Sequence, residues 1–217
     1  MRGLLIKDLM LLKRQKTTLV MVAFFAIFMF GNGAMPPSGI IAYVAVFFTM
    51  MAISSVSYDE FDNGYAFLFT LPITVKTYVL EKYLYALLAA CVSSLLSGGV
   101  AYIRRGTHEV GFIVGFAVGF ALVMLLLVAV MMPLQLKFGV ERSRLMGIMI
   151  GGLIGGAGVL GMLGLGSGRL GDVTNAFQKM AGRLGGGVLT FLGVCFVALA
   201  YFASMMVSIR IMKRKDF

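Results

Sequence analysis

Charge is scarce in this chain. Only 13% of its 217 residues are Asp, Glu, Lys or Arg, while 60% are hydrophobic and the mean hydropathy is +0.97. Soluble domains carry about twice that charged share, so a soluble globular protein is excluded. Ligand-type residues are scarce as well. The two cysteines, Cys91 and Cys195, fall inside apolar runs, which indicates neither a disulfide nor a metal site. The single histidine, His108, and all nine acidic residues map to loops or to the ends of apolar runs. That leaves no buried acid, base or metal cluster, and argues against catalytic, metal and cofactor sites and against a proton- or ion-coupled carrier. Nor is there a G-x-x-x-x-G-K-[ST] loop, so the chain does not hydrolyse ATP in the P-loop manner.

What is present is a series of long apolar runs. Six match the roughly 30 Å hydrocarbon core as helices: about Thr18 to Ala34, Ile40 to Ser57, Tyr83 to Ile103, Phe112 to Leu136, Leu145 to Gly166 and Val188 to Ile209. The connections are short, so residues 1–217 form a single all-α transmembrane domain. The first run follows a basic stretch as a signal peptide would, but no clear small-x-small cleavage site follows it, and an uncleaved helix is expected.

Lysine and arginine then give an orientation. Fourteen of the nineteen lie in the N-terminal arm 1–17, in the connections holding Lys76, Lys82, Lys137, Arg142 and Arg144, and in the tail. The positive-inside bias places these segments, and both termini, in the cytoplasm. The net charge of +10 gathers beside span ends, where anionic lipid accounts for it better than nucleic acid does.

Three connections have helical character. In the arm, Leu5, Leu9 and Leu12 recur at helical spacing, interrupted by Leu4 and Leu11. This reads as an interfacial helix on the inner leaflet or as a plain orienting run of charge. In the cytoplasmic segment 58–79, Ser57 or Asp59 is expected to cap a helix whose face carries Phe61, Tyr65, Leu68 and Phe69. Pro72 stops it, and Thr74 caps a helix that runs through Lys76, Glu81 and Lys82 into the third span. Such a segment is either a docking surface or a solvated loop with headgroup-level aromatics. The outer loop 167–187 offers Asp172 as a cap for a second interfacial helix, or is a linker.

Within the spans, "GAGVLG" at 156–161 fits a dinucleotide-binding string but lies inside a membrane helix. Small-residue packing explains it better, since Gly147, Gly151 and Gly155 repeat every four residues, as do Gly111, Gly115 and Gly119. These rows are packing faces, within the chain or between subunits. Ser93, Ser94 and Ser97 are expected to bond back to their own helix.

The arm "LLIKDLMLLKRQK", six spans and the segment "DEFDNGYAFLFTLPITVKTYVLEKYL" together resemble the permease subunits of bacterial type-2 ABC exporters, in particular the small permeases that include the phenol-soluble modulin exporters. The specific likeness lies in Leu71, Pro72, Thr74, Val79, Lys82 and Tyr83. The resemblance implies a half-transporter in the bacterial cell membrane, without an ATPase site of its own. It implies two copies of a separate ABC ATPase and a second permease, identical or different, as partners. The cytoplasmic coupling helix of that family would fall on Asp59, Glu60, Phe61, Asp62, Tyr65 and Phe69. An amphipathic cargo, such as toxin or antimicrobial peptides, would suit a pathway free of intramembrane charge. The alternative is a motor-less membrane protein, a pore-former or an assembly or immunity factor, which has no need of an acidic coupling patch.

Overall fold

The computed structural model describes residues 2–14, 16–31, 36–60, 64–70, 73–105, 110–149 and 186–214, and apart from short turns these are helical. In chain order the helices are α1 (Arg2–Arg14), α2 (Lys16–Gly31), α3 (Pro37–Glu60), α4 (Gly64–Thr70), α5 (Val75–Arg105), α6 (Val110–Phe138), α7 (residues 140–149) and α8 (Gly186–Lys213). Helices this apolar must satisfy their backbone within themselves, and their ends show how they begin. Pro36 accepts from the amides of Gly39 and Ile40, at 2.9 and 3.3 Å, and Pro37 opens α3, where a missing N–H costs nothing. Thr74 caps α5 as expected: its Oγ1 accepts from the Thr77 amide at 3.3 Å and its carbonyl from the Tyr78 amide at 3.0 Å. Ser93, Ser94 and Ser97 do bond back to Ala90, Cys91 and Ser93.

Among the described residues, four helices are long and apolar enough to cross a membrane: Ser38–Glu60, Val75–Ile103, Ile113–Phe138 and Thr190–Lys213. Two of the six expected spans are not among these four. The first expected span is only the 16-residue α2, which rises about 24 Å against a ~30 Å core. The fifth begins in α7, but the rest of it, the outer helix expected at 172–184, Gly151 and Gly155 lie outside the described residues.

Two apolar clusters give the directions. At the far end of the bundle Ile41 of α3 meets Ala101 of α5 and Ile113 and Ala117 of α6. At the charged end, Val56 of α3 joins Tyr78 of α5, Met132 and Leu136 of α6, and Met212 of α8. Helices α3 and α6 therefore run the same way with α5 opposed, and α8 brings its C-terminal half to the same end as α6.

A proline explains one of the ties between α6 and α8. Pro133 lies inside α6 and has no N–H to give the Ala129 carbonyl one turn back. Ser204 Oγ of α8 donates to that carbonyl at 2.5 Å. With its proton committed there, Ser204 accepts from the Tyr83 hydroxyl at 2.7 Å, and Tyr83 accepts from Ser208 at 2.8 Å. Tyr201 donates to the Tyr83 carbonyl at 2.6 Å, with its ring edge-on to that of Tyr83. Three helices are thus pinned through one buried tyrosine.

The glycine rows divide. A Cβ on Gly147 would stand 2.6 Å from the end of the Met131 side chain, so α7 and α6 approach closely there. A Cβ on Gly111, Gly115 or Gly119 would meet nothing within 4 Å, so that row packs against no described part of this chain.

Candidate functional site

The N-terminal arm is a helix, but it is held by more than an apolar stripe. Leu4, which interrupts the expected pattern, is buried, and one turn later Asp8 is completely enclosed against α5. Lys82 answers it. The lysine is 2% exposed, and its ammonium lies 2.5 Å from Asp8 Oδ2, 2.8 Å from Asp59 Oδ2 and 3.2 Å from Ser55 Oγ. An ammonium has three N–H donors, and all three are used. Asp59 also takes the Tyr78 hydroxyl at 3.1 Å on Oδ2 and the Lys7 ammonium on Oδ1. One cluster therefore joins α1, the last turn of α3 and the second turn of α5.

This overturns the expectation that no acid or base is buried. Asp8, Asp59, Glu81 and Lys82 are all at most 6% exposed. It also changes the part Asp59 plays locally. Asp59 and Glu60 end α3 instead of starting a helix, and a carboxylate at the negative end of a helix dipole needs compensation. Lys7 and Lys82 supply it. Removing one partner from such a buried group leaves an uncompensated charge, typically at ~3–5 kcal/mol.

Of the other expected coupling residues, Tyr65 is the one that packs against this cluster among the described side chains. Tyr65 of α4 is 7% exposed, with its ring edge-on to Tyr78 at 6.0 Å. Burial pushes its hydroxyl above the usual tyrosine range, against the pull of the hydrogen bond with Tyr78, and the negative charges of Glu60 and Asp59 push the same way. Tyr65 therefore stays a neutral hydrogen-bonding group. Phe69 belongs to α4, while Phe61 and Asp62 lie outside the described residues.

Glycine fixes how the chain turns here. A Cβ on Gly64 would come 2.5 Å from the Asp59 carbonyl oxygen, so α4 can fold back over the end of α3 only with glycine at that position. On the other side, Gly139 sits between α6 and α7 with φ +81° in the left-handed region, and a Cβ there would stand 2.6 Å from Glu60 Oε1. Beside it opens a cleft of about 380 Å³ lined by Ser57, Glu60, Phe138, Glu141, Arg142 and Arg144. Its Ser57 is held from α6, where Gln135 donates to Ser57 Oγ at 2.6 Å.

The family model described as ABC-2 family transporter protein matches residues 3–213, from the arm to the end of α8. The chain belongs to the ABC-2 transporter family. It is thus the membrane permease part of an ABC transporter, a kind of subunit that works with an ABC ATPase. Neither a curated protein nor a solved structure matches it. In this ABC-2 permease, the stretch singled out from the sequence rests directly on the buried cluster. One hint of the partners was visible: Glu81 and Lys82 stand two turns inside the helix capped by Thr74, where an apolar run is already beginning.

Proposed function

We propose that this ABC-2 permease is the membrane half of an ATP-driven exporter in the bacterial cell membrane. It crosses the membrane six times with both termini in the cytoplasm, and assembles with a second permease and two ATPase subunits. The likeness to the phenol-soluble modulin exporters supports an amphipathic cargo, peptides among the candidates. The parallel entry of α6 and α8 into the charged end supports a return crossing between them. A helix of 16 residues can serve as the first span if the bilayer thins or flanking lysines snorkel.

The observation that carries the coupling role is the ion cluster. Asp59 anchors the stretch Asp59 to Phe69 to Lys82, and through it to the start of α5. A push on that stretch reaches a membrane-crossing helix through a buried, saturated contact. In this reading Glu60 and Asp62 meet basic residues of the ATPase, Phe61 and Phe69 enter its cleft, and Asp59 and Tyr65 hold the stretch to the permease.

Two double variants, compared at matched membrane levels, test this. Aromatic anchors commonly carry ~2 kcal/mol or more of binding, while rim charges act more on association rate. Phe61→Ala with Phe69→Ala should lower ATPase co-purification and export more than Glu60→Gln with Asp62→Asn. Unchanged co-purification and export in both variants would refute the coupling role.

A further inference from the structure

The ionisable groups of the buried cluster do not balance. Lys7 and Lys82 bring two positive charges, while Asp8, Asp59 and Glu81 would bring three negative ones. Glu81 is completely buried, and among the described residues neither of its carboxylate oxygens has a hydrogen-bond partner. Asp8 lies beside it and has the same lack at Oδ1, from which the Lys7 ammonium stands 3.6 Å away. Lys82 has no N–H left to offer either acid. From α1, Lys7 and Asp8 face Glu81; its own helix adds Lys82 and Tyr85. Asp59 of α3 reaches the cluster through Lys82. From α6 and α8 the side chains turned inward at this end are neutral, Gln135 from one and Ser204 and Ser208 from the other, while Lys137, Arg210 and Lys213 in their last turns are exposed.

An ionised carboxylate enclosed without a donor is strongly unfavourable, and among the described buried groups no cation remains for it. A metal ion is a poor answer, because a lysine ammonium already sits 2.5 Å from the carboxylate it would have to share. A single proton corrects both faults. It equalises the charges, and it gives Glu81 an O–H to donate to the unpartnered Asp8 Oδ1. The 31 residues of α5 rise about 46 Å, well over the ~30 Å core. The first turns of α5 therefore extend past the hydrocarbon, where water can exchange that proton.

We propose that Glu81 is a proton-binding site: it is held as a neutral carboxylic acid that donates to Asp8, and its proton clasps the N-terminal arm to α3 and α5. The clasp is a property of the permease alone and does not depend on the ATPase-coupling reading. Because the clasped arrangement holds one proton more than the released one, release becomes easier as pH rises, by up to about tenfold per pH unit for one proton.

The test uses the full chain in lipid nanodiscs with carbon-13 in its glutamate carboxyls. At neutral pH the infrared spectrum should contain an un-ionised carboxyl stretch that the label shifts. Glu81→Gln should abolish it, whereas Glu60→Gln with Glu141→Gln should leave it. In a Cys91→Ala, Cys195→Ala background, labelling of the buried position in Leu4→Cys should speed up as the band titrates away, relative to the exposed position in Met10→Cys on the same helix. Glu81→Gln should remove that acceleration. Absence of a glutamate band at neutral pH in the unmutated chain would overturn the proposal, even if Glu81→Gln fails to assemble. So would a band that survives Glu81→Gln, or the same acceleration with and without that substitution.

Discussion

The two ends of this bundle are joined by different chemistry. At the charged end, Lys82, Asp8, Asp59, Tyr78, Tyr83, Gln135 and Ser204 lock α1, α3, α5, α6 and α8 through directional contacts between specific atoms. At the far end α3, α5 and α6 meet through Ile41, Ala101, Ile113 and Ala117, which touch without direction. Polar contacts of this kind have one satisfied arrangement, and apolar contacts between small side chains have many of nearly equal energy. The charged end is accordingly the fixed frame of the permease, and the far end is where its helices can slide.

Lys82→Met breaks the contrast most directly, because it leaves Asp8 and Asp59 buried beside a single remaining lysine. It should cost about 3–5 kcal/mol, seen as a lower thermal midpoint in detergent and as exposure of α1 to protease. Next comes Ser204→Ala, which should cost about 1–3 kcal/mol by stranding the Ala129 carbonyl. The same change in a Pro133→Ala background should cost clearly less, since alanine at that position restores the helical N–H. Equal costs in the two backgrounds would show that the proline does not account for this tie. Gly139→Ala should cost about 1–2 kcal/mol for the left-handed backbone alone, and should displace Glu60 as well. At the far end Ile113→Val should cost only about 0.5–1.5 kcal/mol, with ATPase co-purification unchanged. If it disturbed the charged end as much as Lys82→Met does, the division into frame and sliding end would fail.

Local features of the fold were readable from the sequence. Thr74 caps α5, and the serines of α5 bond to carbonyls three or four residues back, because both depend on near neighbours in the chain. The arm was readable as a helix, but the partners of its charges were not. Lys7 and Asp59 are 52 residues apart and Asp8 and Lys82 are 74 apart, and no spacing rule relates residues so distant. The rule that charges belong to loops also misled, because it treats each charge singly, and a pair can be buried where a lone ion cannot. The Gly111, Gly115 and Gly119 row shows the converse: the motif was plain, yet it meets no described part of this chain. The candidate coupling residues were legible as a stretch, but not that Asp59 and Tyr65 would turn inward.

The grip on Lys82 also divides α5 mechanically. About seven residues of the helix precede the pin and about twenty-three follow it, giving arms of roughly 10 Å and 35 Å. A stiff rod held at such a point has unequal leverage: tilting it by shifting the short arm about 1 Å sweeps the opposite tip by about 3 Å. The place where α5 is held therefore sets a gear ratio, with small strokes applied beside Thr74 becoming larger ones at the far end of the helix.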